Sequence, residues 1–382
     1  MDTIRKKFYE IYHQEPLLVA SPGRVNLIGE HTDYNEGYVL PGAVDKRMYV
    51  AIAANGTNTV TLYANEYSQY YSFSIHGIQP AIQWEWHGYL TGVVYFLQQK
   101  GCHVKGVDVL VDGDIPVGAG MSSSAALCSA FGFALNELFG FGLGRMDLAY
   151  IGQKTEHAFA GVRVGIMDQF ASLHGKSDHV IKLDCRSMEY EYIPFQFHDH
   201  KIVMVNSMVK HSLGETEYNV RRQQCEEGVS VLKKFKPDIV SLRDLSLADL
   251  QAHKEELNEI VYKRCLYVIE EKERLLKGCE LLVHGDLNSF GRLMYETHQG
   301  LSKLYEVSCE ELDFLADKAH SFPGVTGTRM MGGGFGGCTI NLVKQEAVDA
   351  FISAIKENYV KQFARENEVY ITQIEDGTKV LS

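Results

Sequence analysis

Valines 107, 109 and 111 in "VKGVDVLVDGDIP" fall on one face at a period of two, which predicts a strand. Downstream, Leu127, Phe131, Leu135 and Leu138 recur at helical spacing, with Gly140 as a natural stop. Between them lies "PVGAGMSSSAAL" (116–127), so the local unit reads as strand, glycine turn, serine-capped helix. "RMYVAIAANGTNTVTLYA" alternates on both sides of Asn55-Gly56, which predicts a β-hairpin or a closely related strand pair. Tyr218, Cys225, Val229 and Leu232 fall on one helical stripe, and the pattern from Leu247 to Ser321 is mostly helical. "TGTRMMGGGFGGCTINLV" predicts a glycine turn into a short apolar strand. Val348, Phe351, Ile352, Ile355 and Tyr359 predict one more amphipathic helix. Strands and helices are mixed throughout, an α/β (α+β) pattern. A boundary is expected within 176–200, where "KSDHVIKLD" and "FQFHDHK" read as polar and irregular.

The chain has 382 residues, enough for two or three domains at about 150 residues each. Its 45% apolar and 23% charged residues suit a soluble globular protein with a sizeable core. The formal net charge of −12 disfavours long nucleic acids as partners, while leaving room for a small polyanion held by local geometry. The eight cysteines are scattered and form no C-x-x-C pair, which disfavours a disulfide framework or a zinc site. "MDTIRKKFYEIYHQEP" lacks the apolar core of a signal peptide, and no run reaches the roughly 18 apolar residues of a membrane span. A cytoplasmic protein is expected.

Four stretches carry candidate chemistry. In the serine loop, Gly118 and Gly120 let the backbone approach an anion, and the helix start offers unpaired N–H groups. Ser122, Ser123 and Ser124 can cap, bond phosphate oxygens or ligate magnesium; a plain capped helix fits these residues equally well. "GTRMMGGGFGGC" concentrates Gly332, Gly333, Gly334, Gly336 and Gly337, a pattern worth its entropic cost where a ligand or another backbone comes very near. It precedes a strand, so it is a poor dinucleotide fingerprint. "GRVNLIGEHTDYNEGYVLP" sets Arg24, Asn26, Glu30, His31, Asp33 and Asn35 among apolar residues. Such a half-buried polar turn suits a hydroxyl-rich ligand better than a metal, because adjacent residues rarely converge on one ion. Finally, "KTEHAFAGVRVGIMDQFASLHG" offers Glu156 on a helix and Asp168 after a glycine turn, carboxylates suited to magnesium or to a hydroxyl proton.

Together these segments resemble the galactokinases of the GHMP small-molecule kinase superfamily, with motifs from Gly23 to Cys338. "GEHTDY" points to galactokinases in particular, whereas the serine loop marks the wider superfamily. The resemblance implies a two-lobed GHMP kinase fold with the active site in the cleft between lobes, here taken as residues 1–190 and 191–382. It implies ATP- and Mg²⁺-dependent phosphorylation of the anomeric hydroxyl of α-D-galactose by a monomer that engages neither nucleic acid nor membrane. By position, Asp168 and Arg24 would be catalytic, and Glu30, His31, Thr32, Asp33, Gly165 and Tyr218 would contact the sugar. Gly118, Ala119, Gly120, Met121, Ser122, Ser123 and Ser124 would hold phosphates, Trp86 would lie near the adenine, and Ser124 and Glu156 would ligate magnesium. Two departures stand out: Arg163-Val164 where galactokinases usually carry Pro-Cys, and Met331 where they often carry Thr. Kinases for N-acetylgalactosamine and non-catalytic sugar sensors on the same fold are the competing readings; an oxidoreductase built on "GGGFGG" is a remote one.

Overall fold

A computed structural model of the chain describes residues 2–82, 85–116, 118–209 and 214–382, so Val117 of the serine loop lies outside the described residues. The first part runs α1 (Asp2–Tyr12), β1 (Leu17–Asn26), β2 (Tyr38–Val39), β3 (Pro41–Ala54), β4 (Thr59–Ala64), β5 (Gln69–Ser74), α2 (His87–Gln99) and β6 (Val107–Gly113). Then come α3 (Ser123–Phe139), α4 (Arg145–Thr155), α5 (Met167–His174), β7 (His179–Asp184), β8 (Tyr190–Pro194) and β9 (His200–Asn206). A helical stretch follows: α6 (Gly214–Leu232), α7 (Leu247–Ala252), α8 (Glu259–Val283), α9 (Leu287–Lys303) and α10 (Glu310–His320). The chain closes with β10 (Val325–Met331), β11 (Cys338–Lys344), α11 (Val348–Phe363), β12 (Glu368–Thr372) and β13 (Lys379–Leu381).

The described residues form three sheets: β13-β1-β3-β6-β4-β5, β10-β11-β9-β12 and β2-β7-β8. One core, including Val50, Val109, Phe131 and Phe170, lies between the six-stranded sheet and α2 to α5. A second core joins Val25 and Leu27 of the first sheet's side to Met204, Phe290 and Ile340 of the other, so the two halves share buried apolar surface behind the cleft. β13 returns to pair with β1, so the six-stranded sheet draws on both ends of the chain and a cut at residue 190 does not coincide with sheet membership.

Several local expectations change. β3 and β4 do not pair; β6 inserts between them, antiparallel to β3 and parallel to β4. Val107, Val109, Leu110 and Val111 of β6 are all buried, so this strand has apolar residues for both faces and belongs at the centre. The Asn55-Gly56 turn is spent on it: Asn55 N donates to Gly106 O (3.1 Å), and its side chain donates to Asp108 Oδ1 (2.9 Å). Residues 176–200 are not irregular. Val180, Ile181 and Leu183 are buried in β7, which pairs with β2 and β8. The "TGTRMM" half of the second glycine segment is itself a strand, β10, so the glycines turn between two paired strands rather than merely leading into one. Gly140 does end α3, at φ 64°. Among the described residues no helix is long and apolar enough to cross a membrane.

Candidate active site

β1 ends at Asn26 and delivers the polar turn to the bottom of the cleft. There Glu30, His31 and Asp33 line a cavity of about 250 Å³ together with Arg24, Gly165, Asp168, Tyr218 and the backbone of Gly332 to Gly334. That volume lies just under the roughly 300–1,000 Å³ of drug-sized ligand sites, so it suits a ligand of one small ring. The lining comes from both halves of the chain, with Val162, Val164 and Met167 as its apolar part.

The turn residues differ sharply in charge state. Burial would push the Glu30 carboxyl up, but Arg329, Arg24 and the Gly332 N–H (2.9 Å) outweigh it and hold the group below the usual carboxylate range. Burial depresses His31 to about 4, so its ring is neutral at pH 7; its Nδ1 lies 2.8 Å from the Tyr34 hydroxyl. Burial, with Asp168 adding to it, raises Asp33 to about 7. Asp33 Oδ1 accepts the Tyr34 N–H (2.9 Å), and the carboxylate lies against the Cα of Gly165, so close that a Cβ there would sit 1.7 Å from Oδ2.

Arg24 and Asp168 form a two-pronged pair, Nε to Oδ1 and Nη2 to Oδ2, both 2.8 Å. Such a fork fixes direction as well as distance. Arg24 also donates to Gly120 O, which ties the pair to the serine loop. The loop is brought there by a close crossing of backbones: Arg24 N donates to Met121 O (3.0 Å), and a Cβ on Gly23 would meet that same oxygen at 2.6 Å.

The serine loop opens α3 with Gly118, Gly120 and Ser122 all at positive φ. Ala119 and Met121 are buried in the shared core, leaving only their main chain to the cleft. Ser122 stands at the helix start but does not cap it; its hydroxyl donates to Asp168 Oδ2 instead. The first N–H groups of α3 are therefore not consumed by that side chain, which is what an anion site needs. Gly118, Ser123 and Ser124 line a second cavity of about 540 Å³, whose other walls include Trp86, Tyr67, Tyr89 and Leu127. Ser124 Oγ donates to Glu156 Oε1 (3.2 Å), which also accepts Gln169 Nε2 (2.9 Å). Burial, with Asp168 adding to it, raises Glu156 to about 7, against Ser124, Arg24 and Gln169. A hydroxyl and a buried carboxylate side by side form a hard oxygen pair that fits magnesium, an ion that takes few protein ligands beside phosphate and water.

The structure thus gathers Arg24, Glu30, His31, Asp33, Gly165, Asp168 and Tyr218 at one cavity, and Trp86, Gly118, Ser123 and Ser124 at the adjoining one. Tyr218 leaves the apolar stripe of α6 to face His31 (ring centroids 5.3 Å apart). Among the expected sugar contacts Thr32 is the exception. Its side chain is buried and its hydroxyl is turned to Gly29 O (2.9 Å) and Tyr38 O (2.5 Å), so it shapes the turn and does not line the cavity. Met331 packs beside Gly120 and its sulfur accepts the Asn26 N–H (3.4 Å). Sequence reading missed Arg329, Tyr267 and Glu271, all buried behind the turn, although a lone arginine inside the apolar "TGTRMM" was a legible sign of a buried partner.

Known proteins match the chain over most of its length. The galactokinase galactose-binding signature matches residues 6–54, the GHMP kinase N-terminal domain residues 88–176, and the GHMP kinase C-terminal model residues 279–361. The galactokinase of Thermotoga maritima is 39% identical, across 94% of this chain and 99% of its own. That of Roseiflexus sp. is 38% identical, across 98% and 95%. A crystal structure of Lactococcus lactis galactokinase complexed with galactose superposes with a TM-score of 0.95 at 34% identity, covering 100% of this chain and 99% of that one. A mevalonate kinase of Methanococcus jannaschii shares the fold, with a TM-score of 0.68 at 17% identity over 95% of this chain and 99% of that one.

Proposed function

The chain belongs to the galactokinase family of the GHMP kinases, and from that premise we propose that it transfers the γ-phosphoryl group of ATP to the anomeric hydroxyl of α-D-galactose. The observation that carries the reading is the Arg24–Asp168 fork, which stands on the lining of the small polar cavity and is tied to the loop that opens the larger one.

The sugar lies in the small cavity, with Glu30, Asp33, His31 and Tyr218 meeting its hydroxyls. ATP lies in the larger one, its adenine toward Trp86 and its β- and γ-phosphates on the main-chain N–H groups at the start of α3. Asp168 receives the anomeric hydroxyl. Both its oxygens already accept hydrogen bonds from Arg24, and Ser122 adds a third, so its orientation is set before the substrate arrives. It points the hydroxyl at the phosphoryl group and takes its proton as the new O–P bond forms and the bond from the γ-phosphorus to the β-phosphate oxygen breaks, with ADP as the leaving group. Arg24 stabilises the charge spread over the transferring group, where positioning and electrostatics do most of the catalysis. Ser124 and Glu156 would hold a magnesium ion, which supplies positive charge to the phosphates that a lysine supplies in other nucleotide loops.

The test is ADP release across a panel of hexoses with and without magnesium. Release that requires galactose and the metal is expected; release no faster with galactose than with glucose would overturn the assignment. Strong turnover of N-acetylgalactosamine in the same panel would move the reading to the related amino-sugar kinases.

A further inference from the structure

Arg329 has no part in the mechanism above, yet it is among the largest wholly buried side chains of the protein. It stands on β10, three residues before the glycine turn. Its Nε donates to Leu27 O (2.6 Å), its Nη2 to Asn26 O (2.5 Å) and Glu30 Oε1 (2.9 Å), and its Nη1 to Met330 O (2.6 Å). Three of these four acceptors belong to the segment that carries the sugar turn. Gly332 N adds a second bond to the same Oε1 of Glu30, so both bonds land on one oxygen and the other is left to the cavity that Glu30 lines. The turn is held from its far side as well. Glu271 of α8, itself wholly buried, accepts the Gly29 N–H (2.7 Å), and the Tyr267 hydroxyl donates to Glu30 O (3.0 Å).

Stitching β10 to β1 would need only neutral donors to the carbonyls of Asn26 and Leu27. A guanidinium is a costly choice for that task in a buried place, unless its charge is matched. Here it is matched by a carboxylate that also faces the ligand cavity. We propose that Arg329 is a positioning residue for sugar recognition, anchoring one oxygen of Glu30 so that the other is presented, fixed and charged, to a hydroxyl of the bound hexose. This rests on the galactose reading of the small cavity.

The experiment measures KM for galactose and for ATP, with kcat, in Arg329→Gln, Arg329→Lys, Glu30→Gln and the double variant Arg329→Gln/Glu30→Gln. Arg329→Gln should raise the galactose KM by at least about tenfold, the worth of one charge-assisted hydrogen bond, with the ATP KM changed by less than about twofold. Arg329→Lys keeps the charge but loses the fork and should show the same split. The double variant should be no worse than Glu30→Gln alone, since both act through one carboxylate. An unchanged galactose KM in the Arg329 variants, galactose and ATP constants rising together, or additive losses in the double variant would overturn the proposal. If Arg329→Gln does not unfold cooperatively, Arg329→Lys decides by the same criteria. A raised galactose KM in Glu30→Gln with none in the Arg329 variants sinks this inference alone; an unchanged one in Glu30→Gln sinks the sugar reading of the turn as well.

Discussion

Adding one methyl group at Gly165 should disable sugar binding while sparing the nucleotide side. Gly165 is not in the left-handed region, so alanine meets no backbone strain there and the whole effect is steric. The new Cβ would stand 1.7 Å from Asp33 Oδ2, 2.2 Å from its Cγ and 2.8 Å from its Cβ, none of which is tolerable. Asp33 must swing away and give up the Tyr34 N–H, at an overpacking cost of about 1–3 kcal/mol. A displaced carboxylate also loses its hydrogen bond to the sugar, worth about 1.5–3 kcal/mol. At about 1.4 kcal/mol per decade, the galactose KM of Gly165→Ala should rise by about 10- to 100-fold. The cavity with Trp86 and the start of α3 is lined by neither residue, so the ATP KM should hold. Coupled ADP release reads both constants, and a thermal melt reads the strain. Adding Asp33→Ala should recover the melting temperature without recovering the galactose KM, because the clash goes but the contact does not return. A galactose KM within about twofold of the parent, or an equal rise for ATP, would refute the reasoning.

Three more outcomes are expected. Asp168→Asn should lower kcat by at least about 100-fold, the usual worth of a positioned base, and ATP binding measured by calorimetry should be nearly intact; near-parental turnover would remove Asp168 from the mechanism. Glu156→Ala should raise the magnesium concentration needed for half-maximal rate, and an unchanged titration would remove it from the ligand pair. In the unliganded protein Asp33 should subtract stability as pH rises from about 4 to about 7, while His31 and His174, both depressed from 6.5 to about 4, add stability between about 4 and 6.5, so the net loss is expected above about 6.5. Asp33 is raised from 3.8 to about 7, so between those values the native state binds more protons than the unfolded one, and stability falls with pH. Asp33→Asn should flatten that slope of melting temperature against pH, leaving the part that Glu156 contributes with the same sign; parallel slopes would contradict the assignment.

The residues legible in sequence were those whose types announce a job. A glycine-serine loop before an apolar helix, and a run of carboxylates and histidine among valine and leucine, led to Ser124, Glu156, Glu30, His31 and Asp33 because few structural roles need those types together. The Arg24–Asp168 pair and the Ser124–Glu156 neighbours were legible too, and what failed was the partner of other groups. Ser122 looked like a helix cap, but a hydroxyl donates to whichever acceptor is near, and only the folded chain brings Asp168 there. Thr32 sits between two neighbours that line the small cavity, yet the turn rotates its hydroxyl onto main-chain carbonyls. The Asn55-Gly56 turn fitted a hairpin because a local signal carries no trace of β6, about fifty residues away, taking the place between the strands. Arg329 went unnoticed for the same reason: its partners at Asn26, Leu27 and Glu30 are some three hundred residues distant.

The charge balance of the cleft gives the divalent ion a physical reason. Glu30, Asp33, Glu156 and Asp168 carry four potential negative charges, and Arg24 and Arg329 carry two positive ones, so the fully ionised set stands at 2 − 4 = −2. Two of the carboxylates are already neutralised, each by a guanidinium at 2.8–2.9 Å. The other two, Asp33 and Glu156, are the ones that burial and Asp168 raise to about 7. A triphosphate adds further negative charge beside Glu156, which alone would drive that group to stay protonated. A divalent cation held by Ser124 and Glu156, as proposed, would reverse this by favouring the ionised carboxylate and offsetting the phosphates together. Asp33 lines the small cavity instead, where on the proposed reading a carboxyl near its midpoint could accept from one sugar hydroxyl or donate to another. On the proposed reading, the same buried excess of carboxylates divides by position into a metal ligand on the nucleotide side and a hydroxyl reader on the sugar side, with the Arg24–Asp168 fork between them.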